Sequence, residues 1–175
     1  MNTVTFITRD EAFENGLFPR KPTQKPGSAF VLAGGREPPA IVSNKLAISD
    51  IRRGKFDRVV EILTNPYSMV IHMDAISKDA PFQFDVNVKV SVQVMDPLVF
   101  FAAQVKDVPS ALASALHAAV RRVAKQYSIR DCNMLDEALF AALPQKEVYD
   151  GNTGMQYHVA DIETTPKKPV AQKAE

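Results

Sequence analysis

The chain has 175 residues, 21 of them Lys or Arg and 20 Asp or Glu, a length that supplies one well-buried core and a charge balance near zero. No overall field draws such a chain to nucleic acid or to an acidic membrane, so charged recognition has to be local. A single cysteine, Cys132, excludes an internal disulfide, and no run approaches the ~20 apolar residues of a membrane-spanning helix.

In chain order, "MNTVTFITRDEAFENG" has neither a basic start nor a long apolar run, so it is not read as a signal peptide. Within it "TVTFIT" (3–8) is a short strand candidate, and "RDEAFENG" is charged and helix-tolerant, with Asn15-Gly16 as a stop. "FPRKPTQKPG" (18–27), dense in proline and cations, is expected to be an exposed extended connector. "SAFVLAGG" (28–35) is a strand closed by a Gly-Gly turn. Gly34-Gly35 does not fit a phosphate loop, because neither Lys-Ser/Thr nor a helix-opening third glycine follows and "REPPA" blocks a helix. "RRGKFDR" (52–58) is a basic loop, with Arg52, Arg53 and Lys55 the residues that would meet phosphate or lipid headgroups if it is more than solvated. "RVVEIL" and "YSMVIHM", on either side of Asn65-Pro66, look like the strands of a hairpin.

The clearest element follows. Phe82, Phe84, Val86, Val88, Val90, Val92 and Val94 alternate with Gln83, Asp85, Asn87, Lys89, Ser91 and Gln93. Period two puts one face on a core and the other in water, and that alternation favours an antiparallel partner. Asp85, Asn87 and Lys89 are read as a solvated face, since one carboxylate beside an amide and a lysine is not an acid–base pair. Asp96-Pro97 ends the strand, and "LVFFAAQ" is a short helix or turn laying Phe100 and Phe101 on the sheet. Asp107 is a suitable N-cap for a helix over 108–127 with Pro109 in its first turn. Its apolar face is expected to carry Val108, Leu112, Ala115, Leu116, Ala119, Val123 and Tyr127. His117 has no second ligand at i±4, and Arg121, Arg122 and Lys125 suit the helix C-terminus without a bound anion. Cys132 reads as a semi-buried thiol near a helix start. A second helix, "MLDEALFAAL" (134–143), precedes Pro144, the loop "DGNTG" and a closing strand "MQYHVADIET" (155–164).

The words "SKDAPFQFDVNVKVSVQVMDP", "LHAAVRRVAKQYSI" and "GMQYHVADIE", in that order, resemble the band 7 or SPFH domain of stomatins, prohibitins and flotillins over about residues 77–163. Lys78-Asp79 matches the turn before the long strand, Asp96-Pro97 the strand end, Arg121 the arginine of the long helix and Gly154 the turn into the last strand. Val92-Gln93 stands where the family usually has Tyr-Arg, and the family's hydrophobic anchor before the domain and long charged helix after it have no counterpart in these residues. Two explanations stay open: a longer protein cut short, or a branch of the family without those segments. Pro166 and Pro169 argue against a helix starting directly after the closing strand.

The resemblance implies an α+β (α/β) fold with a curved, mostly antiparallel sheet and two or three helices on one side. The organisation expected is an N-terminal strand and Pro-rich connector over 1–27, an SPFH-like domain over 28–164, and a flexible tail over 165–175. It further implies a non-enzymatic scaffold whose copies associate side by side into rings or cages, often at a membrane, and dock partner proteins; a related fold forms part of the wall of the vault particle. No catalytic, cofactor or metal residues, no cofactor and no nucleic acid are implied. The location expected is cytoplasmic, with peripheral membrane contact as an option. Two alternatives differ in class: a monomeric module binding an acidic partner or lipid headgroups through Arg52, Arg53 and Lys55, and an enzyme whose residues converge only in the fold, with His72, His158 and Asp161 the first to inspect.

Overall fold

The computed structural model describes residues 3–12, 24–43 and 55–167. Among the described residues it is an α+β fold with two four-stranded antiparallel sheets and three helices. The elements are β1 (Ile7–Ala12), β2 (Ser28–Ala33), β3 (Ala40–Ile41), β4 (Arg58–Leu63), β5 (Tyr67–Ile76), β6 (Gln83–Val94), α1 (Pro97–Ala102), α2 (Val108–Ala124), α3 (Cys132–Ala142), β7 (Val148–Asp150) and β8 (Met155–Pro166). The first sheet has the order β1-β4-β2-β3 and the second β5-β6-β8-β7. The chain forms two compact units: one of Met1–Tyr67, Gln93–Val108 and Tyr149–Gln156, the other of Ser68–Val92, Pro109–Val148 and Tyr157–Glu175.

In the first unit β4 is an inner strand, between β1 and β2, and is buried along Val59–Ile62. Pairing of Phe30 with Glu61 and Leu32 with Val59 puts Phe30, Leu32 and Val59 on one face, where they pack with Val42 and Phe56. Glu61 shares that face without being an orphan: the Lys25 ammonium lies 2.8 Å from its carboxylate and the Ser28 hydroxyl donates to it at 2.9 Å. These partners, Lys25 foremost, hold the Glu61 carboxyl below its ordinary value. α1 lies against β2 and β3, and Phe100, fully buried, stacks at 6.2 Å on Phe6. Phe101 takes the Arg58 guanidinium over its ring at 6.0 Å.

The N-terminal strand lies four residues later than expected. Ahead of the strand the Phe6 ring is buried and its carbonyl accepts the Leu63 N–H at the end of β4, while the Val4 carbonyl accepts the Val108 N–H and the Val4 N–H donates to Asp107. Arg9, Asp10 and Glu11, read as helix-tolerant, form an exposed edge strand stabilised by the cross-strand pair of Arg58 with Asp10. Residues 24–27 close a turn on Gly27, and the rest of the Pro-rich connector, with Asn15-Gly16, lies outside the described residues. The Gly-Gly turn after β2 is as expected, with Gly34 and Gly35 both at positive φ.

The hairpin expected around Asn65-Pro66 does not form. β4 and β5 are consecutive but lie in different sheets, because both edges of β4 are already taken by β1 and β2. The Asn65-Pro66 connection is therefore a crossing from one sheet to the other.

In the second unit the long alternating strand is as expected from Phe84 onward, with Phe84, Val86, Val88, Val90 and Val92 at 0–1% exposure. Phe82 lies before the strand and is 45% exposed. β8 buries Tyr157, Val159, Ile162 and Thr164, its inward phase shifting by one residue at Ala160–Asp161. α2 buries Leu112, Leu116, Val120 and Ala124, and α3 buries Leu135 and Leu139. Against expectation Ala115 is exposed and Ala119, Val123 and Tyr127 only half-buried. α2 ends at Ala124, three residues short of the expected Tyr127. The single apolar face of the sheet and the apolar stripes of the two helices supply this unit's core.

The turn before β6 is tied to the end of α2. The Lys78 N–H donates to the Tyr127 carbonyl, and the Asp79 carboxylate accepts the Ser128 hydroxyl at 2.6 Å and the Ile129 N–H at 3.2 Å. These two bonds hold the Asp79 carboxyl below its ordinary value of 3.8. A depressed folded value means that the stabilisation is present above 3.8 and lost as pH falls through the folded value. Asp79→Asn is thus expected to melt below the native chain at neutral pH and together with it in strong acid; thermal melts across the acid range check this.

Candidate functional site

Four strands bound the two sheets, and three of them are poor surfaces for further pairing. β3 has two residues and β7 three. β1 carries exposed Arg9, Asp10 and Glu11 and a register break between Ile7 and Arg9. Short, charged or irregular edges discourage pairing with another chain. β5 is different: it is ten residues long, and among the described residues only β6 pairs with it.

The local sequence explains why β5 is two-sided. Met69, Ile71, Met73 and Ala75 are buried while Ser68, Val70, His72, Asp74 and Ile76 are exposed, an unbroken period of two. Just past its end the Ser77 N–H donates to the Phe82 carbonyl at 3.0 Å. Hydrogen bonding alternates along an antiparallel strand, so the odd-numbered residues of β5 bond to β6 and the amides and carbonyls of Val70, His72, Asp74 and Ile76 point away from the sheet. The exposed side chains of those same residues alternate apolar, polar, polar, apolar. Val70 is 46% exposed and Ile76 37%. His72 Nδ1 lies 2.5 Å from Asn87 Oδ1, and Asp74 is ion-paired with Lys167.

The residues singled out for chemistry do not come together. His72 and His158 sit on β5 and β8, which β6 separates, so two strand spacings put their backbones at least about 10 Å apart. The Asp161 carboxylate accepts the N–H of Ile162. Asp85 and Asn87 are half-buried and Lys89 exposed on the outward side of β6. His117, Arg121, Arg122 and Lys125 are exposed. Cys132 is the half-buried first residue of α3, its thiol against the Ile129 carbonyl. Arg52 and Arg53 of the basic loop lie outside the described residues; Lys55 is half-buried, and its carbonyl accepts the Glu37 N–H.

The first unit holds an open cavity of about 360 Å³ whose lining includes Gln24, Lys25, Ser28, Phe30 and Val42. Its polar groups have partners within the wall: the Lys25 ammonium goes to Glu61, and the Gln24 amide donates to the Val42 carbonyl at 2.7 Å. Among the described residues no helix is long and apolar enough to cross a membrane.

Sequence reasoning missed the edge because a strand's alternation gives its two faces but not which of its sides lacks a neighbour. The signal that was available is the Val-x-His-x-Asp-x-Ile spacing over 70–76, of which only the part up to Met73 was read, as one strand of a hairpin. Compared with known proteins, the chain matches no family model and no curated protein sequence.

Proposed function

We propose that the chain is a non-enzymatic assembly module of the SPFH type, whose copies self-associate through a sheet edge and, once assembled, dock partner proteins. The observation that carries this reading is β5, a ten-residue edge strand whose outward row includes exposed Val70 and Ile76. An edge of that length with unpaired backbone groups is a template for a strand from a second chain. What supports a structural over a catalytic role is that His72, on β5, is parted by β6 from His158 and Asp161 on β8, and that the Asp161 carboxylate accepts the Ile162 N–H. The expected setting is cytoplasmic, with peripheral contact to a membrane surface.

The test is proline at Val70. The amide lost there points away from β6, so the substitution leaves the internal ladder intact while removing a donor from the free edge. Val70→Pro is expected to keep the native far-UV circular dichroism and to lose concentration-dependent association, read by sedimentation velocity. Association unchanged by Val70→Pro would remove β5 as the contact.

A further inference from the structure

We infer that two copies of the chain join β5 to β5 about a two-fold axis at Met73, in a register that places His72 of each opposite Asp74 of the other, so that association strengthens as pH falls. This inference rests on the edge-pairing reading above and specifies its register and its control.

The register follows from what each residue would meet. Two antiparallel copies of one strand that keep the same face buried can be centred on Ile71, His72 or Met73 near the middle of β5. Centring on His72 places that histidine against itself and Val70 against Asp74, and centring on Ile71 places Val70 against His72 and Asp74 against Ser68. Both juxtapose unlike or repelling groups. Centring on Met73 places Val70 against Ile76 and His72 against Asp74, each twice by symmetry. On the buried face the same register sets Ile71 against Ala75, a large residue against a small one, with Met73 meeting its own copy. The four residues that pair outward, Val70, His72, Asp74 and Ile76, are those whose backbone groups point off the edge, so side-chain complementarity and the hydrogen-bond ladder agree.

The control lies in the imidazole, whose charge changes between about pH 5 and 8. The groups facing His72 are Asp74 on its own strand and, from β6, Asn87 in contact with Asp85 and Lys89 to either side; the last two are of opposite sign. Asp74 already receives Lys167 on one side and keeps acceptor capacity for a second cation. A protonated His72 gains the carboxylate of the second copy only on association. Proton uptake and pairing therefore reinforce each other.

The experiment is sedimentation equilibrium of the full chain at about pH 8 and about pH 5.5, spanning the imidazole titration. Two opposite-charge cross-strand pairs are expected to tighten the dimer about tenfold at the lower pH. His72→Asp, which sets carboxylate against carboxylate, is expected to weaken it by a similar factor and to abolish the pH response. The exchange His72→Asp with Asp74→His restores opposite partners in this register alone and is expected to recover both. A dimer equally tight at the two pH values, or an exchange variant that stays as weak as His72→Asp while Val70→Pro still dissociates the native dimer, overturns the register and leaves edge pairing standing. Association that Val70→Pro does not touch, or its absence at both pH values, overturns edge pairing and this inference with it.

Discussion

Replacing Val88 with aspartate is expected to cost more than about 4 kcal/mol, enough to unfold much of the population of a domain whose total stability is of order 10 kcal/mol. Val88 is fully buried in the middle of β6, with Val86 and Val90 equally buried on the same face. A carboxylate there has no cation or donor within the apolar face, and burying an unpaired charge is among the few single changes of this size. Its neighbour Lys89 points to the other side and is exposed. Lys89→Ser is therefore expected to move the urea midpoint by no more than about 0.5 kcal/mol equivalent. The pair of variants, one residue apart, reads the alternation directly: similar midpoints for both would mean that β6 does not have a dry face and a wet one.

The second large effect is expected at Gly154. Its φ is +70°, and a Cβ built there would lie 2.5 Å from the Asp96 carbonyl oxygen and 3.0 Å from the Phe100 amide nitrogen. Both are backbone atoms, so the clash is not relieved by turning a side chain. The position also cannot drift, because the Gly154 carbonyl accepts the N–H groups of Met95 and Asp96, and the Gly154 N–H donates to Asp150. Asp96 in turn caps α1 through bonds to the Leu98 and Val99 amides, both at 3.1 Å. The end of β6, the start of α1 and the entry to β8 thus meet at one glycine. Gly154→Ala adds left-handed strain to displaced backbone and is expected to cost about 3 kcal/mol, lowering the melting temperature by about 9 °C. Gly151, in the same loop, has no positive φ and its nearest neighbour is a Tyr149 ring carbon at 3.9 Å. Gly151→Ala is expected to melt within about 1.5 °C of the native chain.

Which parts of this structure were readable beforehand follows from how local the deciding forces are. β6 was legible because its period of two depends on nothing beyond its own side chains. Asp96-Pro97 and Gly154 were legible as boundaries because proline chemistry and a turn glycine act within a few residues. α2 was legible as a helix but not in its rotation. Alanine and valine cover much of its circumference, so the sequence allowed the stripe to run on through Ala115 and Val123, where packing kept the expected Val108, Leu112 and Leu116 and added Val120 and Ala124.

β1 was missed for the opposite reason. Arg9-Asp10-Glu11 has little strand propensity, and it is laddered because β4 offers an edge and Arg58 offers Asp10 a counter-ion from 48 residues away. The crossing at Asn65-Pro66 was likewise invisible, since two adjacent strands separated by a turn look alike whether they pair with each other or with others. The same limit hid the candidate site. That β5 has one side without a partner among the described residues is a property of strand order, and strand order is set by contacts between residues distant in sequence.

The most direct measurement is light scattering behind size-exclusion chromatography on the native chain and Val70→Pro, over a wide range of loading concentrations. A native mass that rises with concentration above the 19.3 kDa of a single chain, together with a Val70→Pro mass that stays at that value, is the expected result. A native chain that remains at 19.3 kDa at every concentration would contradict assembly through β5.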